Sequence, residues 1–489
     1  MSPASNRIKP KLKKASKRLL GYGRTGALKA GATLERLRDR RFCLGITGLS
    51  QSGKSTFITS LINQLINHRQ ASLPGFSPVL GETLLWVKRH PLEDRGLDEF
   101  PYDDAYRGLT GDSPRWPDST VDVSGCLLEL RLKQAPSMFS ALASDEYSLY
   151  LELRDYPGEW LLDLPLRDMT FARWCSQCSA QYGQSPRQEL LGDLHHKLQQ
   201  IDPLAVADET RLADLNSQFK EFLSRCKHHG RSLSLIQPGR FLLPGDEVDA
   251  QVLGFIPLLN CAQYSEAELE SAEDNSYFKV CQQRYQRYVS QLVDPFYREF
   301  FSRIDRQVVL VDIVSALNAG PDYIDDMRQA LTKITDSFAY GRNNRLLQLF
   351  QPKIDKVVFT ATKIDQVLSE DHEAVRQLLS VIVRQAYSNA QHQGVMPNCE
   401  ATAAVRASRE VDQQGERGIV GADLDGKPMG YIHPTIPSRI PEGDEWQPFL
   451  DWTIPSLNPP RGLSYQNSDS IPHIRLDSVL NLLLGDKCV

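Results

Sequence analysis

The chain has 489 residues, 41% of them hydrophobic and 24% charged, with a formal net charge of −5. That balance excludes a low-complexity or disordered chain, and the length suits two or three domains of roughly 150 residues each. No apolar run approaches the roughly 20 residues that cross a bilayer, and the N-terminus MSPASNRIKPKLKKASKR lacks the apolar centre of a secretory signal, so a cytoplasmic protein is expected.

The charge is unevenly spread. The first 41 residues carry 13 Lys or Arg against Glu35 and Asp39, a local excess near +11 that leaves the remainder near −16. Residues 1–36 therefore read as a basic segment, partly helical or disordered, with Leu19, Leu20, Leu28 and Leu34 interleaved. Such a segment serves either as a solubilising arm or as an attraction to an anionic membrane surface, which would place the protein peripherally at that membrane. No specific nucleic-acid recognition is expected. The nine cysteines are mostly scattered, as in a reduced chain. Cys175 and Cys178 form one close pair, but no second ligand pair for zinc is apparent, and a structural buried role is the simpler reading.

In chain order, Arg41–Thr47 has the pattern of a buried strand, and Phe57–Leu65 has apolar residues at helical spacing. Between them lies the loop CLGITGLSQSGKST. Arg89–Thr120 is polar and contains Pro and Gly, as expected of an exposed loop. Two strands follow, Cys126–Leu132 and Tyr147–Leu153, the second running into Asp155-Tyr-Pro-Gly158. From about residue 160 to 305 the periodicity is helical, notably at Gln188–Gln200, Thr210–Cys226 and Tyr277–Phe301. Strand patterns return at Gln307–Ile313 and Lys356–Thr362, with a helical stretch from Pro321 to Phe350 between them, so a parallel α/β sheet resumes after a helical insertion. Val411–Pro472 is rich in Gly, Pro and Asp and reads as irregular covering structure before a terminal helix at Leu476–Leu484.

Gly48-Leu-Ser-Gln-Ser-Gly53-Lys54-Ser55 fits Gly-x-x-x-x-Gly-Lys-Ser/Thr between a strand and a helix, the context that a phosphate-binding loop requires. Gly48 and Gly53 allow the tight turn, and the amides of Ser50, Gln51, Ser52, Gly53, Lys54, Ser55 and Thr56 are candidates to meet phosphate oxygens. Lys54 is expected to reach the outer phosphates and the Ser55 hydroxyl to ligate Mg2+. Asp155 stands at a strand end in Asp-x-x-Gly, where a carboxylate holds Mg2+ and the Gly158 amide meets the γ-phosphate. Thr362-Lys363-Ile364-Asp365 ends another strand. The Asp365 carboxylate can accept two hydrogen bonds from guanine that adenine does not offer, and the stem of Lys363 can lie over the base.

GLSQSGKS, DYPG and TKID, in this order, resemble the first, third and fourth guanine-binding motifs of the translation-factor-related P-loop GTPases. The basic N-terminus, RWPDST, LRDYPGEW and FTATKID together resemble the YcjX-like stress-protein family of bacterial GTPases over nearly the whole chain. The resemblance implies a Ras-like P-loop GTPase domain, a mostly parallel doubly wound sheet, with a large helical insertion. It also implies GTP and GDP binding with Mg2+, a part in stress, and an inner-membrane partner protein. In these terms residues 37–159 and 306–410 form the two parts of the GTPase domain, 160–305 the insertion, and 411–489 an irregular extension ending in a helix.

The fit departs from the family pattern at three places. The fifth guanine motif falls at Cys399–Val405, where Thr402, Ala403 and Ala404 would offer amides to the base. The switch threonine that binds Mg2+ is Thr120 or Thr110, with Thr120 better placed, and Arg115 or Arg107 stands near as a source of positive charge for the transition state. The residue after Asp-x-x-Gly, often a water-positioning glutamine, is Glu159, which accepts hydrogen bonds but donates none, so slow hydrolysis is expected; Gln51 becomes an alternative contact to the γ-phosphate or water, with a loop-packing role the simpler reading. A nucleotide-dependent switch is the leading reading. The alternatives are an ATP-using P-loop enzyme and a membrane-associated GTP sensor with negligible turnover.

Overall fold

The computed structural model describes residues 40–49, 51–92, 94, 96–119, 122–134, 145–228, 232–244, 248–249, 251–339, 354–413 and 415–488. The basic segment 1–36, Ser50 and Thr120 lie outside them. In chain order the first half runs β1 (Arg41–Gly48), α1 (Lys54–Ile66), β2 (Leu84–His90), β3 (Asp98–Glu99), α2 (Tyr102–Thr110), β4 (Ser124–Lys133) and β5 (Glu146–Asp155). Helices follow, the longer ones α3 (Phe171–Tyr182), α4 (Glu209–His228) and α5 (Tyr277–Tyr288). The chain then returns through β6 (Arg306–Val311), α6 (Ile313–Ala319), α7 (Pro321–Asp336), β7 (Lys356–Ala361), α8 (His372–Ile382), α9 (Arg384–His392) and β8 (Met396–Ala401). It closes with β9 (Arg409–Gln413), β10 (Glu416–Ala422), β11 (Pro428–Tyr431) and α10 (Leu476–Leu484).

The main sheet has the order β2-β4-β5-β1-β6-β7-β8, with β3 beside β4. β5, β1, β6, β7 and β8 are parallel to one another, whereas β4 is antiparallel to both β5 and β2. This is the expected α/β, mostly parallel Ras-like sheet, with β2 added at its antiparallel edge. Both faces are covered, because successive residues of the central strands are apolar and alternate between two cores. Phe42, Leu44, Ile46, Val308, Leu310 and Val358 pack with α1 and α10. Cys43, Val309, Val311, Val357 and Phe359 belong to a second core shared with the helices between β5 and β6 and with α8. Trp174, Phe255 and Tyr285 lie in that same core, so the inserted helices are continuous with the sheet rather than a separate body. Cys175 and Cys178 are buried on α3, and the Leu258 amide donates to Cys175 Sγ at 3.3 Å. Among the described residues no helix is long and apolar enough to cross a membrane.

Several segments differ from expectation. Arg89–Thr120 is not a loop throughout, since it holds β3 and α2. Tyr102, Tyr106 and Leu109 form a buried helical face there, which the surrounding Pro, Gly and Asp conceal in the sequence. Gln188–Gln200 is two short helices parted at Gly192, whose φ of +52° interrupts the periodicity. The helical pattern of Tyr277–Phe301 continues past α5 as π-helical turns at Val289–Val293 and Phe296–Phe300. Helix also begins earlier than Pro321, at Ile313, and breaks at Gly320. Within Val411–Pro472, β9, β10 and β11 make a three-stranded antiparallel sheet, whose alternation is obscured by glycine and charged residues on its exposed side.

A buried carboxylate fastens the inserted helices to the end of β5. Asp163 is fully buried, accepts from the Gly239 amide at 2.9 and 3.0 Å and from the Arg240 amide at 3.3 Å, and accepts the Tyr288 hydroxyl proton from α5. Burial pushes its carboxyl up to about 6, against the bonds from Tyr288 and Gly239 that favour the anion. The folded state therefore holds this proton more tightly than the unfolded chain, so the contribution is full below about pH 4 and is lost as pH rises through about 6. Asp163→Ala leaves buried donors without an acceptor and is expected to lower the unfolding free energy by about 2–4 kcal/mol. Asp163→Asn should flatten the decline in stability between about pH 4 and 6. Urea unfolding across that range checks both, and an unshifted midpoint in the alanine variant would reject the anchoring role.

Candidate nucleotide-binding site

The loop between β1 and α1 is held by its own geometry. Leu49 N donates to Leu310 O of β6 at 3.1 Å, and Ser52 N donates back to Leu49 O at 3.1 Å. A Cβ on Gly48 would lie 2.0 Å from Ser52 Oγ, so the close return of the loop requires glycine there. Gln51 and Gly53 are both left-handed, at φ +60° and +79°, a backbone pattern from which successive amides converge on a concavity. Gly53 caps α1 without a side-chain hydrogen bond, so the first-turn amides of Lys54, Ser55 and Thr56 have no carbonyl of their own helix to meet. Ser52 is buried, and Ser55 O accepts from Thr59 Oγ1 at 2.8 Å.

β1 and β5 are parallel neighbours with Ile46 opposite Asp155, so both strands end at the loop. Lys54 Nζ consequently pairs with Asp155 Oδ1. Burial lowers the Lys54 pKa, and the Asp155 charge opposes that shift. One residue of the next turn touches the loop backbone: a Cβ on Gly158 would lie 2.1 Å from Gly48 O. The donors at hand are hard oxygens, the Ser55 hydroxyl and the Asp155 carboxylate, together with an ammonium and a close glycine-lined backbone. Their chemistry fits a magnesium ion and a phosphate chain. No cluster of three or more His, Cys, Asp or Glu that would hold a metal by itself occurs among the described residues.

The other end of the site is built by β7 and β8. Lys363, left-handed at φ +60°, extends its ammonium to Asp312 Oδ2 at 2.6 Å, and Asp312 also caps α6 through Ser315 N. Asp365 is buried, and its Oδ2 accepts from the Ala407 amide at 2.9 Å, while Ser408 Oγ donates to its carbonyl. Burial pushes the Asp365 carboxyl up to about 6. Thr362 continues the β7 edge, with its amide bonded to Val311 O at 2.9 Å.

Four sequence expectations change here. The amides of Thr402 and Ala403 are not presented to a base: they bond Ala361 O at 2.8 Å and Ile474 O at 3.0 Å, because the end of β8 bridges to the C-terminal extension. Ala404 O accepts Ser60 Oγ from α1 at 2.5 Å. The amide that does meet Asp365 is that of Ala407, further along the same loop. Gln51 does not turn its side chain to the phosphate cradle; its left-handed backbone leaves it exposed, and Nε2 donates to Ser232 Oγ at 3.1 Å. Arg115 is exposed beside α2, its amide bonded to Gly108 O at 2.8 Å, and no contact joins it to Lys54 or Asp155 among the described residues. Of the two switch threonines, Thr110 spends its hydroxyl on Tyr106 O at 2.8 Å inside α2, whereas Thr120 lies outside the described residues.

Sequence reasoning also missed residues that the fold delivers. Glu159 forms an ion pair with Lys227 at 2.8 Å, from the last turn of α4. Ser232 and Asp312 likewise carried no local signal, since each belongs to an ordinary helix end or connecting loop when read alone.

The sheet order, the loop and the Lys54–Asp155 pair define a P-loop protein of the Ras-like GTPase type. Its family model match covers residues 42–488, and the chain belongs to the YcjX-like family (DUF463). It is 39% identical over 462 residues to the "Ras-like GTPase YcjX" of Escherichia coli (strain K12), covering 93% of this chain and 98% of that protein. The "Ras-like GTPase YcjX" of Shewanella oneidensis is 35% identical over 473 residues, 94% of this chain and 97% of that one.

Gly158→Ala tests the contact between the turn after β5 and the phosphate loop. Its methyl must displace a backbone carbonyl, and the variant is expected to lose about 1–3 kcal/mol of stability. Thermal unfolding checks this; an unchanged midpoint would show that the two segments separate freely.

Proposed function

We propose that the protein binds GTP and GDP with magnesium, hydrolyses GTP slowly and acts as a nucleotide-dependent switch. The observation that carries this reading is the buried Lys54–Asp155 pair, set between the glycine-lined loop and Gly158. Each partner has a charge suited to a different part of a magnesium nucleotide: the ammonium to outer phosphate oxygens, the carboxylate to magnesium, usually through water. Ser55 and Asp155 would hold magnesium, which would neutralise charge on the phosphates. Lys54 and the loop amides bind and orient those phosphates, and Asp365 selects guanine through its paired ring N–H and amine. Glu159, in the place of a glutamine, accepts from water but by itself donates nothing to the phosphate, which is the ground for expecting a slow rate.

GDP and ADP titrations decide the base. GDP is expected to bind on the order of 100-fold more tightly, because adenine lacks the ring N–H and amine that would add two bonds to the one Asp365 accepts from Ala407; equal affinities would refute the guanine reading. Lys54→Ala is expected to weaken nucleotide binding by about 10- to 100-fold.

Affinity for GDP should also depend on acid. Asp365 titrates at about 6 in the free protein, so binding is expected to weaken by about tenfold for each pH unit below that value. Asp365→Asn should bind more weakly at neutral pH and lose that dependence. A pH-independent wild-type affinity between about 4.5 and 7 would exclude Asp365 from the base site.

A further inference from the structure

Glu159 follows Gly158 directly and is the second residue of the single helical turn Gly158–Leu162. Its carboxylate is nearly buried, and its ion-pair partner Lys227 comes from α4 of the insertion, at 2.8 Å, with the two side chains 11% and 16% exposed. Lys227 is tethered at a second point. Ser232 Oγ donates to Lys227 O at 2.6 Å and accepts from Gln51 Nε2 of the phosphate loop at 3.1 Å. The end of α4 is thus held to the loop on one side and to the turn after Asp-x-x-Gly on the other. α4 itself is rigidly seated, with Phe219 and Phe222 fully buried. The Lys54 ammonium feels the charges of both Glu159 and Lys227, which places this pair within electrostatic reach of the phosphate-binding lysine.

A glutamine carboxamide at the position of Glu159 would accept a hydrogen bond from the attacking water and donate one to a phosphate oxygen. A carboxylate does only the first, and its charge opposes the phosphate. An ammonium supplies what is missing, three donors and a positive charge. We propose that Lys227 is a catalytic residue provided in cis by the helical insertion, and that Glu159 and Lys227 together replace a single water-positioning glutamine. Glu159 accepts from the water, and Lys227 donates to a γ-phosphate oxygen. The water oxygen bonds to the γ-phosphorus as the bond to the bridging oxygen breaks. That oxygen leaves with its electron pair on GDP, and the water proton ends on the released inorganic phosphate. This inference rests on the GTPase reading above.

Single-turnover phosphate release from Mg2+–GTP, measured on the full chain, tests it, with fluorescent GDP affinity as the check on folding and binding. Lys227→Met is expected to lower the hydrolysis rate on the order of 100-fold while GDP affinity stays within about threefold. Lys227→Arg should keep most of the rate. Glu159→Gln combined with Lys227→Met should recover at least about tenfold over Lys227→Met alone, because one carboxamide then offers both acceptor and donor. A merely structural ion pair would give no such recovery. If Lys227→Met does not fold, Lys227→Leu, which also removes every donor, replaces it with the same expectations. An unchanged rate in the charge-removing variant, or a double variant no faster than it, overturns the proposal. Wild-type protein that binds GTP without measurable turnover overturns this inference alone, whereas wild-type protein that binds no guanine nucleotide overturns the reading beneath it.

Discussion

The parallel pairing of β1 with β5 is the constraint on which the site depends. β1 lies at the centre of the sheet, bonded to β5 on one side and β6 on the other, and nearly all of it is buried. Because the strands run the same way with Ile46 opposite Asp155, the loop leaving β1 and the turn leaving β5 emerge side by side. Lys54 is largely shielded from water at that point, with 11% of its side chain exposed, and an ammonium so placed without a counter-charge costs several kcal/mol. Asp155 supplies the counter-charge, at a sequence separation of 101 residues. The pair is a weak source of net stability. Its consequence is functional, since two opposite charges are kept ready beside a cradle of backbone amides.

The inserted helices use the same strand end as their anchor. Glu159 takes Lys227, Trp160 Nε1 donates to Leu243 O at 3.0 Å, and Asp163 gathers Gly239, Arg240 and Tyr288. Arg240 stacks its guanidinium 3.5 Å over the Trp160 ring. On the far side, Asp326 of α7 holds Arg187 and the Leu235 amide. The insertion therefore spans from the turn after β5 to a helix after β6, and any change in that turn is felt by packed aromatic residues rather than by a free loop. The turn after β5 is thus packed between the phosphate loop and a close-packed helical body.

The C-terminal extension has a comparable structural part. Ile474 pairs with Ala403, Pro472 O accepts from the Arg406 amide, and α10 packs against the face that carries α1. Arg306, almost wholly buried at the start of β6, is paired with Asp355 just before β7 and with Asp486 just after α10, which ties the terminal helix to the sheet. The loop after β8 is thereby drawn along the sheet edge, which brings Ala407 rather than Ala403 to Asp365.

The strand-loop-helix at Cys43–Thr56, the strand end at Asp155, the turn carrying Asp365 after β7, the return to a parallel sheet and the terminal helix were all determined by sequence, because each is a local pattern of apolar period, glycine and turn chemistry. α2 and the β9–β11 sheet were not, since Pro, Gly and charged residues on their exposed sides mask a short buried face. The partners of Glu159, Gln51, Lys363 and Asp365 were decided by tertiary structure alone. Gln51 and Ser232 stand 181 residues apart, and no periodicity in either segment records the other. A side chain's chemistry is written at its own position, but the charge that meets it is set by which strand ends and helix ends the packed core brings together.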